Sequence, residues 1–283
     1  MDLNSLEQAA FIITFLAYTV SMLLYIVYLA NKSENVGKIA TAITAVGLFA
    51  NTAAIILRWV ITKHPPLSNG YEFLLSFTWG IVLVYLFAEF KYKIKTIGAF
   101  VIPVAFFILS YVLLIMPAAE KVAGNMPPVL RSNWLTFHVF TAMLAYGAFA
   151  VSFGVSIMYL IKDNMEKNKS KSSFSKRLPA LEVLDDMSYK FIIFAFPLLS
   201  LVIISGAIWA EYTWGQYWSW DPKETWSLIT WFIYTAYLHA RVTYGWKGKK
   251  AAIMSIVGFA AVMFTFFGVN YLLSGLHSYG KSE

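Results

Sequence analysis

The chain has 283 residues, 59% of them hydrophobic and 13% charged, with a formal net charge of +7 and no cysteine. Such a balance belongs to a chain whose solvent is largely lipid, and it excludes an ordinary soluble domain. Without cysteine the chain contributes no disulfide, thiol relay or thiolate-bound metal, so any thiol chemistry around it belongs to a partner.

Eight apolar runs follow one another, at 9–30, 39–61, 71–90, 97–116, 134–161, 191–209, 226–244 and 251–273. Each is long enough for a helix to cross a bilayer core, which takes about 20 residues. The runs are continuous, without the short alternating segments of a membrane β-barrel. The expected fold is therefore all-α: a polytopic integral membrane protein with about eight transmembrane helices, forming a single membrane domain over 1–283. The first run has no basic leader and no small-residue cleavage site, so it reads as a retained helix. No internal repeat is evident.

Orientation follows from the positive charges. Of the 22 Lys and Arg, 16 fall in the loops after the first, third, fifth and seventh runs, among them Lys91, Lys93, Lys95, Arg241 and Lys247. Those loops face the cytoplasm, which places both termini and the Trp-rich loop 210–225 outside. The net charge thus reports topology and attraction to anionic membrane lipid. No basic patch is interleaved with aromatics, so no nucleic-acid partner is expected. The one long cytoplasmic connection, 162–190, reads as a linker in which Pro179 opens a short amphipathic helix on the membrane surface.

Just before the seventh run stands WGQYWSWDPKETW, residues 214–226, holding four of the ten tryptophans. Asp221-Pro222-Lys223-Glu224 has the order of a helix start: an Asx N-cap, proline at the first helical position, and Glu completing a capping box. That structural reading of Asp221 and Glu224 stands beside a binding one. Trp209, Trp226 and Trp231 suit the aromatic belt of a membrane interface. Trp214, Trp218 and Trp220 exceed what a belt requires; a Trp-rich shelf at the water boundary suits a large planar ligand with one polar edge.

The four histidines narrow the choice of ligand. His138 lies about one turn into the fifth run and His277 about one turn past the eighth, both at the level of the Trp loop. A single membrane histidine ordinarily hydrogen-bonds a neighbouring helix. Two imidazoles flanking an aromatic shelf suit axial ligation of haem iron. His239 lies deeper, about 20 Å from the outer end of its helix, where both a ligand role and a helix-packing hydrogen bond are open. His64, before Pro65-Pro66, reads as a brace for its loop. Arg58 and Arg131, near the outer face, are candidates for haem propionates or for interfacial snorkelling.

WGQYWSWDPKETW resembles the WWD signature, WGxxWxWDxxE, of haem-handling membrane proteins of cytochrome c maturation. KHPPLSNGYEFLLSFTWG, residues 63–80, is similar to the HxPLSNxYE segment of one branch, the CcsA/ResC proteins of System II. The resemblance runs from about residue 58 to the C-terminus. It implies His138 and His277 as external axial ligands, the loop with Trp214, Trp218, Trp220 and Asp221 as a platform for haem b (iron protoporphyrin IX), and His239 as a ligand of a second, intramembrane haem. The other ligand of that haem would come from a CcsB/ResB-type membrane partner. The implied activity is presentation of haem to the CxxCH thiols of apocytochrome c, as the haem-binding subunit of a holocytochrome c synthase (haem lyase), with haem export as a further role. The substrate thiols would be kept reduced by a thioredoxin-like system, and the host membrane would be the bacterial cytoplasmic membrane or the thylakoid. Two alternatives stand beside this reading. A CcmC-like delivery of haem to a chaperone is disfavoured by the eight runs and the PLSN segment. A multi-pass solute transporter would place acidic or discontinuous helices near the midplane, where Asn51 is the clearest polar residue and Glu89 lies near the inner margin.

Overall fold

Every predicted run falls on a helix in the computed structural model, which describes residues 2–122, 130–169 and 174–273; among these there is no strand. The long helices are α1 (Leu3–Asn31), α2 (Glu34–Thr62), α3 (Gly70–Tyr92), α4 (Gly98–Leu114), α6 (Asn133–Lys167), α7 (Leu181–Trp214), α8 (Pro222–Tyr244) and α9 (Lys249–Met263). Short helices α5 (Ala118–Lys121) and α10 (Val269–Leu272) complete the set, and a π-helical turn, Phe264–Gly268, joins α9 to α10. Helices α1, α2 and α3 stop alike: Lys32, Lys63 and Lys93 take positive φ and return their backbone N–H to the carbonyls of Tyr28, Trp59 and Glu89.

Among the described residues, seven helices are long and apolar enough to cross a membrane. The chain is an all-α, multi-pass membrane protein. Helix α8 is 23 residues long but falls outside that set, because Trp, Tyr, Thr and His occupy positions where the other helices carry aliphatic residues. Helices α6 and α7, with 35 and 34 residues, extend about 50 Å at 1.5 Å per residue and overreach a bilayer core of about 30 Å. They take up much of the segment read as a linker, leaving 168–180 between them. The separate surface helix expected after Pro179 is not seen: α7 begins at Leu181 and runs unbroken to Trp214. The reason is a continuous buried stripe, Leu184, Met187, Ser188, Phe191, Ile192 and Ala195, whose spacing keeps one helical face against the bundle from the first turn.

Helices α3 and α6 form the centre. They cross where Gly80 meets Gly147; a Cβ on either would come within 2.5 Å of backbone oxygen on the other helix, the close approach that small residues permit in membrane bundles. Deeper in, Ser152 of α6 lies 2.9 Å from both the Ser188 hydroxyl of α7 and the Ser255 hydroxyl of α9. Towards the C-terminal end of α3, Glu89 accepts hydrogen bonds from Tyr25, Thr41, Tyr85 and Lys95, which joins α1 and α2 to α3. Asp185 holds Arg241 through two bonds of 2.8 and 2.6 Å and accepts the Gly248 N–H at 2.7 Å, tying α7 to α8 and the start of α9. Glu89, the acidic residue near the membrane margin in the transporter alternative, is thus engaged in fixed contacts.

Candidate functional site

A cleft opens at one end of the bundle, where α3, α6 and α8 begin and α7 ends; its free space is about 1400 Å³, counting the open mouth. Phe73 and Phe77 of α3 and Tyr146 of α6 line it, together with Thr265, Phe266 and Phe267 from the π turn. A π turn carries an extra residue and re-aims side chains, and such turns recur at functional sites. Here Phe264 points the other way and packs on Trp226 at 4.1 Å between ring centroids. Nothing in the sequence reading pointed to this turn, since FTFFG has no local signal beyond its glycine.

His138 lines the cleft. Its Nδ1 lies 2.8 Å from the Val202 carbonyl of α7. A carbonyl can only accept, so Nδ1 carries the proton and the basic lone pair sits on Nε2. This is the arrangement metal-binding imidazoles adopt, with the second nitrogen donating to a fixed acceptor that sets the ring's tautomer and orientation. Helix α7 leaves room for the ring at Gly206, where a Cβ would come within 2.9 Å of the imidazole Cε1.

The tryptophans sort into different roles. Helix α7 continues to Trp214 and is capped by Gly215 at φ 73°, so Trp214 is helical where a loop residue was expected. Trp214 meets Trp209 edge-on, with centroids 4.9 Å apart; Trp209 lines the cleft with Leu130, Leu135 and Val139, and Trp214 packs against this cluster without lining the cleft. Trp218 lines the cleft itself; its Nε1 is buried and has no hydrogen-bond partner among the described residues. Trp220 is 69% exposed at the rim, edge-to-face with Trp218 at 5.7 Å. Its φ is 60°, an outlying conformation for a bulky residue. The structure therefore brings His138 and Trp218 to one cavity, sets Trp220 beside Trp218, and makes Trp214 part of the support.

The expected capping box is present. Asp221 accepts the Lys223 N–H at 2.9 Å, and the Glu224 carboxylate accepts from Asp221 N, Ser219 N and Ser219 Oγ. Asp221 is buried, and its observed contact is the cap rather than the cleft. Lys223 lines the cleft just ahead of the apolar run of α8. Partial burial there pulls its ammonium down to about 8, against the opposing pull of the Asp221 charge.

Arg58 is corrected as a propionate candidate. It is 4% exposed and its Nε donates to Glu72 at 2.9 Å, while Nη2 donates to the Lys121 carbonyl at 2.9 Å. The PLSNGYE segment explains why: Glu72, wholly buried, also accepts from Ser68 N and Ser68 Oγ, and Asn69 caps α3 by accepting the Glu72 N–H. Arg131 is exposed and does not line the cleft. His64 donates from Nδ1 to the Pro65 carbonyl at 2.9 Å, which fits the role of a brace. His239 is exposed on the flank of α8, edge-on to Tyr244 at 5.6 Å, and takes no part in the cleft. His277 lies outside the described residues.

Among the described residues no three His, Asp or Glu side chains converge to hold a bare metal ion. An iron already held by a macrocycle needs only axial ligands, and one imidazole in an apolar, aromatic cleft with an unsatisfied indole donor fits such a group.

The family described as Cytochrome C assembly protein matches residues 67–277, a span that ends on His277. A cytochrome c biogenesis protein CcsA of Guillardia theta is 41% identical over 284 residues, covering 95% of this chain and 94% of the relative. The CcsA proteins of Pyropia yezoensis and Gloeobacter violaceus are 39% and 38% identical, covering 99% and 86% of this chain. Among solved structures, a cytochrome c heme lyase CcmF superposes with a TM-score of 0.71 at 16% identity, over 97% of this chain and 48% of that one. The chain spans about half of that neighbour, and the likeness concerns the fold.

Proposed function

Because the chain belongs to the cytochrome c assembly family, among its CcsA-type biogenesis proteins, we propose that it binds haem b in the outer cleft and presents it to apocytochrome c. In this reading it is the haem-handling subunit of a System II synthase in a bacterial cytoplasmic or thylakoid membrane. His138 and His277 would hold the haem iron, and Trp218 and Trp220 would form the platform for its ring. The observation that carries the reading is the cleft-lining imidazole of His138, its Nδ1 committed to the Val202 carbonyl.

Bound haem supplies two vinyl groups, and each CxxCH thiol adds its S–H across one of them without net oxidation or reduction. What remains for the chain is to bind, orient and exclude water, work that needs no cysteine of its own. Thiols are kept reduced by a thioredoxin-like partner. His239, exposed on the side of α8, suits an intramembrane haem whose second ligand comes from a CcsB/ResB-type partner.

Replacing His138 with Gly removes the imidazole and leaves the cleft walls. The expected result is a weakened Soret band and failed cytochrome c maturation, both partly restored by millimolar imidazole, which refills a ligand site but cannot repair lost packing. If imidazole restores neither in a variant that still folds and inserts, the ligand assignment is wrong. The same test applies to His277→Gly.

A further inference from the structure

The ring of His138 is seated on one turn of α7. Its Nδ1–H donates to the Val202 carbonyl at 2.8 Å, and the Ser205 hydroxyl stands 3.5 Å from the same nitrogen. Ser205 gives its one hydrogen to the Leu201 carbonyl at 2.6 Å, so towards His138 its oxygen can only accept. Gly206 follows directly in the chain. A Cβ there would come within 2.9 Å of the imidazole Cε1 and 3.0 Å of Nδ1, and outside α7 it would meet no other atom of the described residues within 4 Å. Carbon atoms settle at about 3.5–4.0 Å from one another, so the room left at Gly206 serves the imidazole alone. The crossing glycines differ, because Gly80 and Gly147 each meet backbone of the opposite helix. Glycine is unfavourable inside a helix, and α7 runs unbroken past this position to Trp214.

Resting on the haem reading above, we propose that Gly206 is a positioning residue for the iron ligand: it admits the His138 ring against α7, where the Val202 and Ser205 oxygens hold Nδ1–H. Any side chain at 206 would push the ring outward by several tenths of an ångström, towards ordinary contact distance, and weaken the bond to Val202. That bond fixes the tautomer and strengthens the imidazole as a donor to iron, which lowers the iron's reduction potential. Trp209, one turn further along α7, also lines the cleft. One rigid helix therefore carries both the seat of the ligand and part of the wall, the kind of support that holds a site to a fraction of an ångström.

The test places Gly206→Ala in two backgrounds, the unaltered full-length chain and His138→Gly, both in lipid nanodiscs, with haem titrated by its Soret band and by quenching of tryptophan fluorescence. In the unaltered background the added methyl should lower haem affinity about tenfold, the lower end for a disturbed outer-sphere partner. The reduction potential of the bound haem should rise, since a displaced imidazole donates less to iron. Without haem, the same variant should unfold at a lower temperature than the unaltered chain. In His138→Gly the ring is gone, so the methyl should leave haem affinity unchanged and raise the unfolding midpoint, as alanine does for glycine in a helix. Equal losses of affinity in both backgrounds would assign Gly206 to the cleft wall or to helix packing and overturn its positioning role. Unchanged affinity and potential in the unaltered background would overturn it too, while leaving the haem reading intact. If the unaltered chain gives no Soret band, the haem reading falls, and the haem-free unfolding cycle still decides the seat: a midpoint shifted equally in both backgrounds overturns it.

Discussion

Two helix starts at the cleft end of the bundle are built on one plan and end differently. At α3, Ser68-Asn69-Gly70-Tyr71-Glu72 uses an Asn cap, with Glu72 reaching back to Ser68 N and Oγ. At α8, Ser219-Trp220-Asp221-Pro222-Lys223-Glu224 uses an Asp cap, with Glu224 reaching back to Ser219 N and Oγ. The second has one residue more between the Ser and the cap, and that residue is Trp220, turned outward at φ 60°. The first joint is closed by Arg58, buried against Glu72. In the second, the basic residue Lys223 is on the cleft wall and the carboxylate is satisfied by its own loop. One motif thus makes a structural joint where its carboxylate pairs with a guanidinium from another helix, and part of the cleft wall where its carboxylate turns back to its own loop.

Removing the neutralising cation is the strongest way to break this comparison. Arg58→Ala strands Glu72 as a buried charge, a loss of about 3–5 kcal/mol, to be read by denaturant unfolding of the solubilised chain; the double variant with Glu72→Gln should recover part of it. A loss below about 1 kcal/mol in the single variant would show that the first joint is not held by its ion pair. Glu224→Ala removes three accepted bonds at the second joint and should cost about 2 kcal/mol, with faster proteolysis within 215–221. Equal proteolysis in both proteins would mean the loop is held by other contacts. The smallest effect is expected from Trp220→Gly. Relieving the left-handed backbone should raise stability by about 1 kcal/mol, while loss of the ring beside Trp218 lowers haem retention. A drop in stability would place Trp220 with Trp214 among the aromatics that support the cleft from outside it.

Legibility in the sequence followed the range of the interaction. The capping box at Asp221 was legible because its partners lie within a few residues, where helix geometry alone dictates the contact. The fate of Arg58 was not, although Glu72 is only 14 positions away: a charged residue near an interface reads the same whether it snorkels or turns inward to a buried acid. The tryptophans show the same limit. Their density marked the loop, but whether a ring lines the cleft, braces its wall or stands at the rim depends on where α7 ends, and the buried stripe of that helix carried it to Trp214.

The membrane class, the helical runs, the start of α8 at Asp221 and the family were legible in the sequence alone, because run length, local capping and an extended motif are properties of contiguous residues. The tertiary structure decided which side chains share the cleft. His138 acquires its orienting acceptor from Val202, 64 residues away, Gly206 of the same helix leaves the space the ring occupies, and a π turn aims Phe266 and Phe267 at the opposite wall. Such pairings depend on how helices rotate about their axes and how closely they approach. Those quantities are set by packing across the whole bundle, and no local stretch of chain encodes them.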